Sequence, residues 1–258
     1  MSTLGIQRDV PLAPLTTLEL GGPAKYFVRV DDESALADVL RWAADEGMPS
    51  AILGGGSNLI VPDEGYDGLV VHMGIGNLDF RGDGTVDAGA GVPWETVVDG
   101  ALSRDWAGLE CLTGIPLEEL VPEDCAFGYR DSLFKREPGR FIVCGVRFAL
   151  RPHGPATVRY AELHGAIGAD ATLADVRGAV LELRRRKSML IDPHDPNHRS
   201  AGSFFLNPIV SGAEAERVVG QAVRDNVVAA PSDVPRYPAA DGEVKLAAGW
   251  LIEKAGIA

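Results

Sequence analysis

The stretch A-I-L-G-G-G-S-N-L-I-V, residues 51–61, decides the fold. Its short apolar start, Ala51–Leu53, reads as a strand that runs straight into Gly54, Gly55 and Gly56. Ser57 and Asn58 follow, and Leu59–Val61 resume an apolar strand. A doubly wound dinucleotide fold needs G-x-G-x-x-G with a helix after the glycines, and a P-loop needs a lysine there. This stretch has neither. A loop without side chains can still aim successive backbone N–H groups at a pyrophosphate. It can equally be a plain hairpin bend, and the segment by itself leaves both readings open.

Working outward, Tyr26–Val30 reads as a strand after the G-G-P turn at Gly21–Pro23. Residues 32–46 open with acidic side chains and then place Leu36, Val39, Leu40 and Ala43 at helical spacing. A turn over 63–68 precedes a strand at Leu69–His72, so the order is strand, helix, strand, glycine loop, strand. Thr85–Ala90 is a further strand, and Pro93-Trp94-Glu95 starts a helix through Leu102. Residues 141–150 alternate as a half-buried strand. The R-P-H-G-P stretch at 151–155 breaks any regular element and marks a domain boundary. Thr172–Arg186 reads as a helix with Leu173, Val176, Val180 and Leu183 on one face and R-R-R-K at its end, where cations suit the helix dipole. Helices are also expected over 213–225 and 244–254.

The chain has 258 residues, 46% of them hydrophobic, which supports one large core or two modest ones. Its 31 glycines and 17 prolines suit a mixed α and β protein with many tight turns. A net charge of −13 argues against a nucleic-acid partner, which calls for a basic face. Cys111, Cys125 and Cys144 form neither an even disulfide framework nor paired metal spacing, so buried thiols in a reducing compartment are expected. The N-terminus lacks a basic-then-apolar signal pattern, and no apolar run approaches a membrane span. A soluble, cytoplasmic protein is expected.

Several residues outside the glycine loop have chemical potential. In S-A-G-S-F-F-L-N-P, residues 200–208, Ser203 lies between Gly202 and the pair Phe204 and Phe205. A hydroxyl so shielded can transfer a proton under control, or the segment is a turn entering a buried strand. Arg130, within F-G-Y-R-D-S-L-F-K at 127–135, is suited to gripping a carboxylate, or to a surface pair with Asp131. The cluster Arg184–Lys187 can bind phosphates or simply solvate a helix end. Tyr160 and Lys187 can touch a polar ligand or lie on the surface. His194 and His198 sit in D-P-H-D-P-N-H without a helix to align them, so no metal is expected.

Five motifs occur in order: T-T-L-E-L-G-G-P-A-K-Y-F from Thr16, L-G-G-G-S-N-L-I-V-P-D-E-G-Y-D-G from Leu53, F-G-Y-R-D-S-L-F-K from Phe127, S-A-G-S-F-F-L-N-P from Ser200 and K-L-A-A-G-W-L-I-E-K-A-G from Lys245. In this order the chain closely resembles the bacterial UDP-N-acetylenolpyruvoylglucosamine reductases, flavoenzymes of peptidoglycan synthesis. Y-A-E-L at 160–163 resembles the tyrosine-containing substrate loop of one form of that family. The resemblance implies an α+β protein with a two-part FAD-binding domain of the vanillyl-alcohol-oxidase (PCMH) type. Its parts would span 1–72 and 73–152, the second shortened, with an α+β substrate-binding domain over 153–258.

The resemblance further implies FAD and NADPH as cofactors and UDP-N-acetylglucosamine enolpyruvate as substrate, reduced to UDP-N-acetylmuramate by a monomer without nucleic-acid or membrane partners. By motif, Ser203 would supply the proton and Arg130 would hold the substrate carboxylate and stabilise the enolate-like charge. Gly54, Gly55, Gly56, Ser57, Asn58, Leu59 and Ile115 would hold FAD. Tyr160, Lys187 and Asn207 would contact the nucleotide-sugar or the nicotinamide cofactor.

Two departures accompany the resemblance. After Gly114-Ile115-Pro116 the family continues with a G-A-x-x-Q-N-x-G-A-Y-G segment, whereas here Pro116 runs into L-E-E-L-V-P-E-D-C. The sequence also stops at Ala258, before the family's late E-P-E glutamate, and Leu206 stands where many relatives have lysine. These departures raise an alternative, an inactive remnant that binds a UDP-sugar or a partner without turnover. Another flavin oxidoreductase of the same fold is a third reading, although 50–62 has no flavin-linking histidine or cysteine.

Overall fold

The computed structural model describes residues 4–57, 59–109, 125–127, 131–158, 161–168, 170–199 and 205–256. The chain opens with strand β1 (Gln7–Pro11), strand β2 (Pro23–Val30) and helix α1 (Glu33–Asp45). Helix α1 begins at Asp32, whose carboxylate accepts the Ala35 N–H at 2.8 Å and satisfies a donor the first turn leaves unpaired. Strands β3 (Ser50–Leu53) and β4 (Tyr66–Met73) complete a sheet in the order β1-β2-β4-β3. Strand β1 runs antiparallel to β2, while β2, β4 and β3 are mutually parallel. The segment β2–α1–β3 is therefore a crossover unit with β4 slotted between its two strands.

That position explains the composition of β4. A parallel strand covered on both faces needs an apolar run rather than strict alternation, and Leu69, Val70, Val71 and Met73 are all buried. Leu69, Val71 and Met73 pack with Val28 and Val30 against Leu36, Val39 and Ala43 of α1. Val70 faces the other way, into a second cluster with Leu12, Ala24, Phe27, Leu53 and Val61. The expected strand at Leu59–Val61 is not formed. Both edges of β4 are already occupied, and this segment instead buries Val61 in that second cluster. Its continuation, Pro62, accepts from the Gly22 and Gly65 N–H groups at 2.8 and 2.9 Å.

A second layer follows: β5 (Leu78–Phe80), β6 (Thr85–Gly89), α2 (Trp94–Leu102), β7 (Trp106–Ala107), α3 (Leu133–Arg136), β8 (Gly145–Ala149) and β9 (Arg151–Pro152). Strands β5-β6-β8 form an antiparallel sheet, and β7 pairs with β9. Val86 and Ala88 of β6 pack with Val97, Val98 and Ala101 of α2, Trp106, Leu109 and Leu150. The intervening positions carry charge: Asp79, Asp87 and Arg147 are in register across the three strands. Arg147 donates to Asp87 at 2.5 Å, and Arg81 pairs with the same carboxylate. The strand expected over 141–150 begins only at Gly145, because Phe141 turns its ring edge-on to Phe134 at 5.7 Å.

Helices α4 (Ala161–His164) and α5 (Leu173–Arg186) share a small core of Leu163, Val176 and Val180. A reciprocal capping box sets the start of α5: the Thr172 hydroxyl accepts the Asp175 N–H at 3.2 Å, and Asp175 accepts the Thr172 N–H at 2.9 Å. Arg177 on α5 pairs with Glu95 on α2.

All of these elements lie in one compact unit, Met1–Ser200, and the remainder forms a second, Ala201–Ala258. The second unit comprises β10 (Ile209–Val210), α6 (Gly212–Arg224), β11 (Arg236–Pro238), β12 (Val244–Leu246) and α7 (Ala248–Lys254). Its antiparallel sheet has the order β10-β12-β11, and Val219, Ala222 and Val234 form its core with Trp250 alongside. The single helix expected over 244–254 divides into a strand and a helix. Leu246 is drawn into the sheet, where its N–H donates to Pro208 at 3.0 Å and its side chain is buried.

Two stability measurements check this packing. Leu69→Ala removes a side chain with no exposed surface, and chemical denaturation should show a loss of roughly 2–5 kcal/mol. The hydrogen bond from Arg147, with the charges of Arg147 and Arg81, holds the Asp87 carboxyl below the usual carboxylate range, against the effect of burial. A depressed carboxyl stabilises the fold above its unfolded pKa of about 4 and loses that contribution as pH falls through the lower, folded value. Asp87→Asn should therefore lower the melting temperature at pH 7, with the difference from wild type shrinking on acidification below about pH 4.

Candidate cofactor site

The glycine loop leaves the carboxyl end of β3, the end at which open α/β sheets receive ligands. Its three glycines serve two different purposes. A Cβ placed on Gly54 or Gly55 would meet nothing within 4 Å, and both residues are exposed. A Cβ on Gly56 would lie 2.1 Å from the Leu15 carbonyl oxygen, and Gly56 has φ of +67°. Gly56 is thus a packing glycine in the left-handed region, and the first two leave open space on the ligand side.

The segment between β1 and β2 braces this loop. Thr17 N–H donates to the Gly56 carbonyl at 3.0 Å, and the buried Thr16 hydroxyl donates to Ala13 at 3.1 Å. Gly21 would strike Val61 if it carried a side chain, since its Cβ would lie 2.4 Å from the Val61 Cβ. The sequence reading took Gly21–Pro23 as a turn and the stretch from Thr16 as one of the five motifs, but it did not connect this segment with the glycine loop. Glu19, on the same segment, pairs with Arg199 at 2.6 Å.

The arrangement fits an anionic cofactor. Among the described residues, the N–H groups of Gly55, Gly56 and Ser57 donate to no backbone carbonyl. Donors left unpaired beside open space are what a pyrophosphate requires, and a chain of net charge −13 can hold one through backbone dipoles. Leu59 lies on the far side of the loop, exposed. Asn58 and Ile115 lie outside the described residues.

The substrate-side candidates are spread over other elements. Lys187 caps the C-terminus of α5, where it pairs with Glu162 of the Y-A-E-L motif at 2.6 Å, so those two motifs adjoin. Arg185 and Arg186 are engaged by Glu182 at 2.8 and 2.9 Å. Asn207 accepts the Ala248 N–H at 2.9 Å, satisfying a donor at the start of α7. Ser203, Arg130 and Tyr160 lie outside the described residues. Next to Arg130, Asp131 pairs with Arg136 at 3.2 Å, and Phe134 stands 6.5 Å from Phe127. A separate concavity of about 710 Å³ runs along α5, but Asp170, Asp175 and Glu182 line it and make it unsuited to an anion. No group of three or more potential metal ligands occurs among the described residues, and no described helix is long and apolar enough to cross a membrane.

Residues 24–118, which include the glycine loop, match the FAD binding domain family. The UDP-N-acetylenolpyruvoylglucosamine reductase of Saccharopolyspora erythraea is 41% identical, covering 95% of this chain and 78% of that protein. The chain belongs to the UDP-N-acetylenolpyruvoylglucosamine reductase family. The reductase of Thermobifida fusca is 38% identical over 98% of this chain and 83% of its own length. A crystal structure of the reductase (MurB) from Thermus caldophilus shares the fold, with a TM-score of 0.50 and 22% identity over 98% of this chain and 93% of that one. The α+β class and the FAD-binding domain read from the sequence are borne out. The Saccharopolyspora alignment extends over 288 positions, more than the 258 residues of this chain, so that reductase carries segments this chain lacks.

The division of labour among the glycines can be checked directly. Gly54→Ala and Gly55→Ala should leave the melting temperature near wild type while weakening FAD binding, followed by quenching of flavin fluorescence. Gly56→Ala should lower the melting temperature of the FAD-free protein, because both φ and the Leu15 carbonyl oppose a side chain.

Proposed function

We propose that the chain is an NADPH-dependent flavoenzyme that reduces UDP-N-acetylglucosamine enolpyruvate to UDP-N-acetylmuramate for peptidoglycan synthesis. The observation that carries this reading is the side-chain-free loop, open at Gly54 and Gly55, in a chain 41% identical to a reductase of that name. FAD, held along Gly54–Leu59 and at Ile115, supplies the two-electron chemistry when bound. The chain's own residues bind, orient and protonate. Arg130 grips the substrate carboxylate and offsets charge that develops beside it. Ser203 delivers a proton to the carbon next to the one that is reduced. A serine hydroxyl is a weak acid, so its surroundings must stabilise the alkoxide left behind.

Tyr160, Lys187 and Asn207 contact the nucleotide-sugar or NADPH in this reading. Lys187 would exchange its pairing with Glu162 for a phosphate, a small rearrangement for an exposed ion pair. The FAD-binding parts would span 1–72 and 73–152, with the substrate-binding part from 153 onward. The protein would act as a cytoplasmic monomer, and its product would serve cell shape and division through the wall.

The test is purification of the chain, a visible spectrum, and NADPH oxidation with and without UDP-N-acetylglucosamine enolpyruvate. A yellow protein whose NADPH oxidation is stimulated by that substrate supports the reading. A colourless chain that takes up no FAD overturns it. Ser203→Ala should leave bleaching of the flavin by NADPH near the wild-type rate. It should slow substrate reduction by roughly two to four orders of magnitude, as loss of a proton donor does.

A further inference from the structure

Arg29 of β2, His72 of β4 and Leu53 of β3 are in register across the three parallel strands. Leu53 packs in the cluster opposite α1, with Phe27 and Val70, so the three side chains share that face of the sheet. Leu53 is the last residue before Gly54. The face therefore changes from apolar to polar at the level where the glycine loop begins.

The polar groups there are held in place. The His72 ring lies 6.0 Å from Phe27, tilted by 45°, and is half-buried. Arg29 Nε donates to Asp31 at 3.0 Å. Gly74 makes room for that pair, since a Cβ there would lie 2.2 Å from Asp31 Oδ1 and 2.7 Å from Arg29 Cζ. Among the described residues the terminal nitrogens of Arg29 have no hydrogen-bond partner, and its side chain is 55% exposed. A guanidinium with terminal donors to spare, next to an imidazole at the strand level where the glycine loop begins, suits phosphate oxygens.

We propose that Arg29 and His72 form the side-chain half of the cradle whose backbone half is the glycine loop, and that both bind the diphosphate of the flavin cofactor. This rests on the reading that the loop holds FAD. Burial, then the charge of Arg29, keeps His72 below the ordinary histidine range, opposed by Asp31. These are the charged groups whose fields reach it, and at pH 7 the free protein holds it neutral. An anion alongside favours the imidazolium, so binding draws a proton onto His72. FAD affinity must then be level above the bound-state pKa, rise as pH falls through it, and level off below the lower pKa of the free protein.

FAD, NADPH and ADP, which share a diphosphate, and adenosine, which lacks one, would each be titrated into wild type, Arg29→Gln and His72→Gln between pH 6 and 8. Melting temperatures without ligand would establish that each variant is folded. The expected result is a loss of roughly tenfold or more in FAD and ADP affinity for each folded variant, with adenosine unaffected. The pH slope of FAD binding should vanish in His72→Gln. Arg29→Lys should recover part of the affinity, a result that a purely structural role would not give. Folded variants that bind FAD like wild type, or that lose NADPH and keep FAD, overturn the proposal while leaving the flavin reading intact. A wild type that binds neither FAD nor ADP overturns both.

Discussion

Burial of β4 between β2 and β3 is the constraint on which the rest of the first unit depends. Its side chains fill two separate clusters, one under α1 and one under the loops, because successive residues point to opposite faces. The first cluster fixes the helix. The second fixes the glycine loop, through Leu53 at its start and Val61 beyond it. Removing either partner strand would expose a row of unpaired backbone groups along β4. The two ends of the loop are therefore anchored in the core beneath it, although its surface consists of glycine.

In the reading proposed for the loop, a protein of strong negative charge holds an anion through its backbone. The carboxylates outnumber the bases over the whole chain. Backbone N–H groups contribute local positive potential without changing net charge. Using them requires that no side chain stand in the way and that the loop not collapse onto itself. Gly54 and Gly55 meet the first condition. Gly56 and the Thr17 hydrogen bond meet the second.

Much of this was legible in the sequence. The helices α1 and α5 carried a clear apolar period and α6 was expected over 213–225, and in the structure all three begin at side-chain caps, Asp32, Thr172 and Ser211. The three consecutive glycines by themselves left a pyrophosphate loop and a plain hairpin bend both open, and only the order of the surrounding motifs favoured the first. What was not legible depended on partners distant in the chain. Leu59–Val61 has strand composition, but its ladder positions had already been taken by other strands. Residues 244–254 have a helical pattern, yet Leu246 is claimed by β10 and β11 from either side. The brace at Leu15–Gly22 and the level at which Arg29 meets His72 follow from strand register, which local pattern does not encode. The roles of Ser203, Arg130 and Tyr160 came from motif resemblance alone, and no physical property of their neighbours in sequence would have assigned them.

The order β1-β2-β4-β3 also has a consequence for how the protein assembles. The last of the three parallel strands in the chain is the central one, so β2 and β3 cannot pair with each other and must wait for β4. Contacts of such long sequence separation form late, after the local hairpin and helix. The glycine loop closes the gap between β3 and β4, and it takes shape only when that final strand arrives. By the same logic it belongs to the region that opens first when the sheet breathes. A bound dinucleotide bridging the loop would act as a clasp on the last step of folding, so cofactor supply and yield of folded protein become one problem.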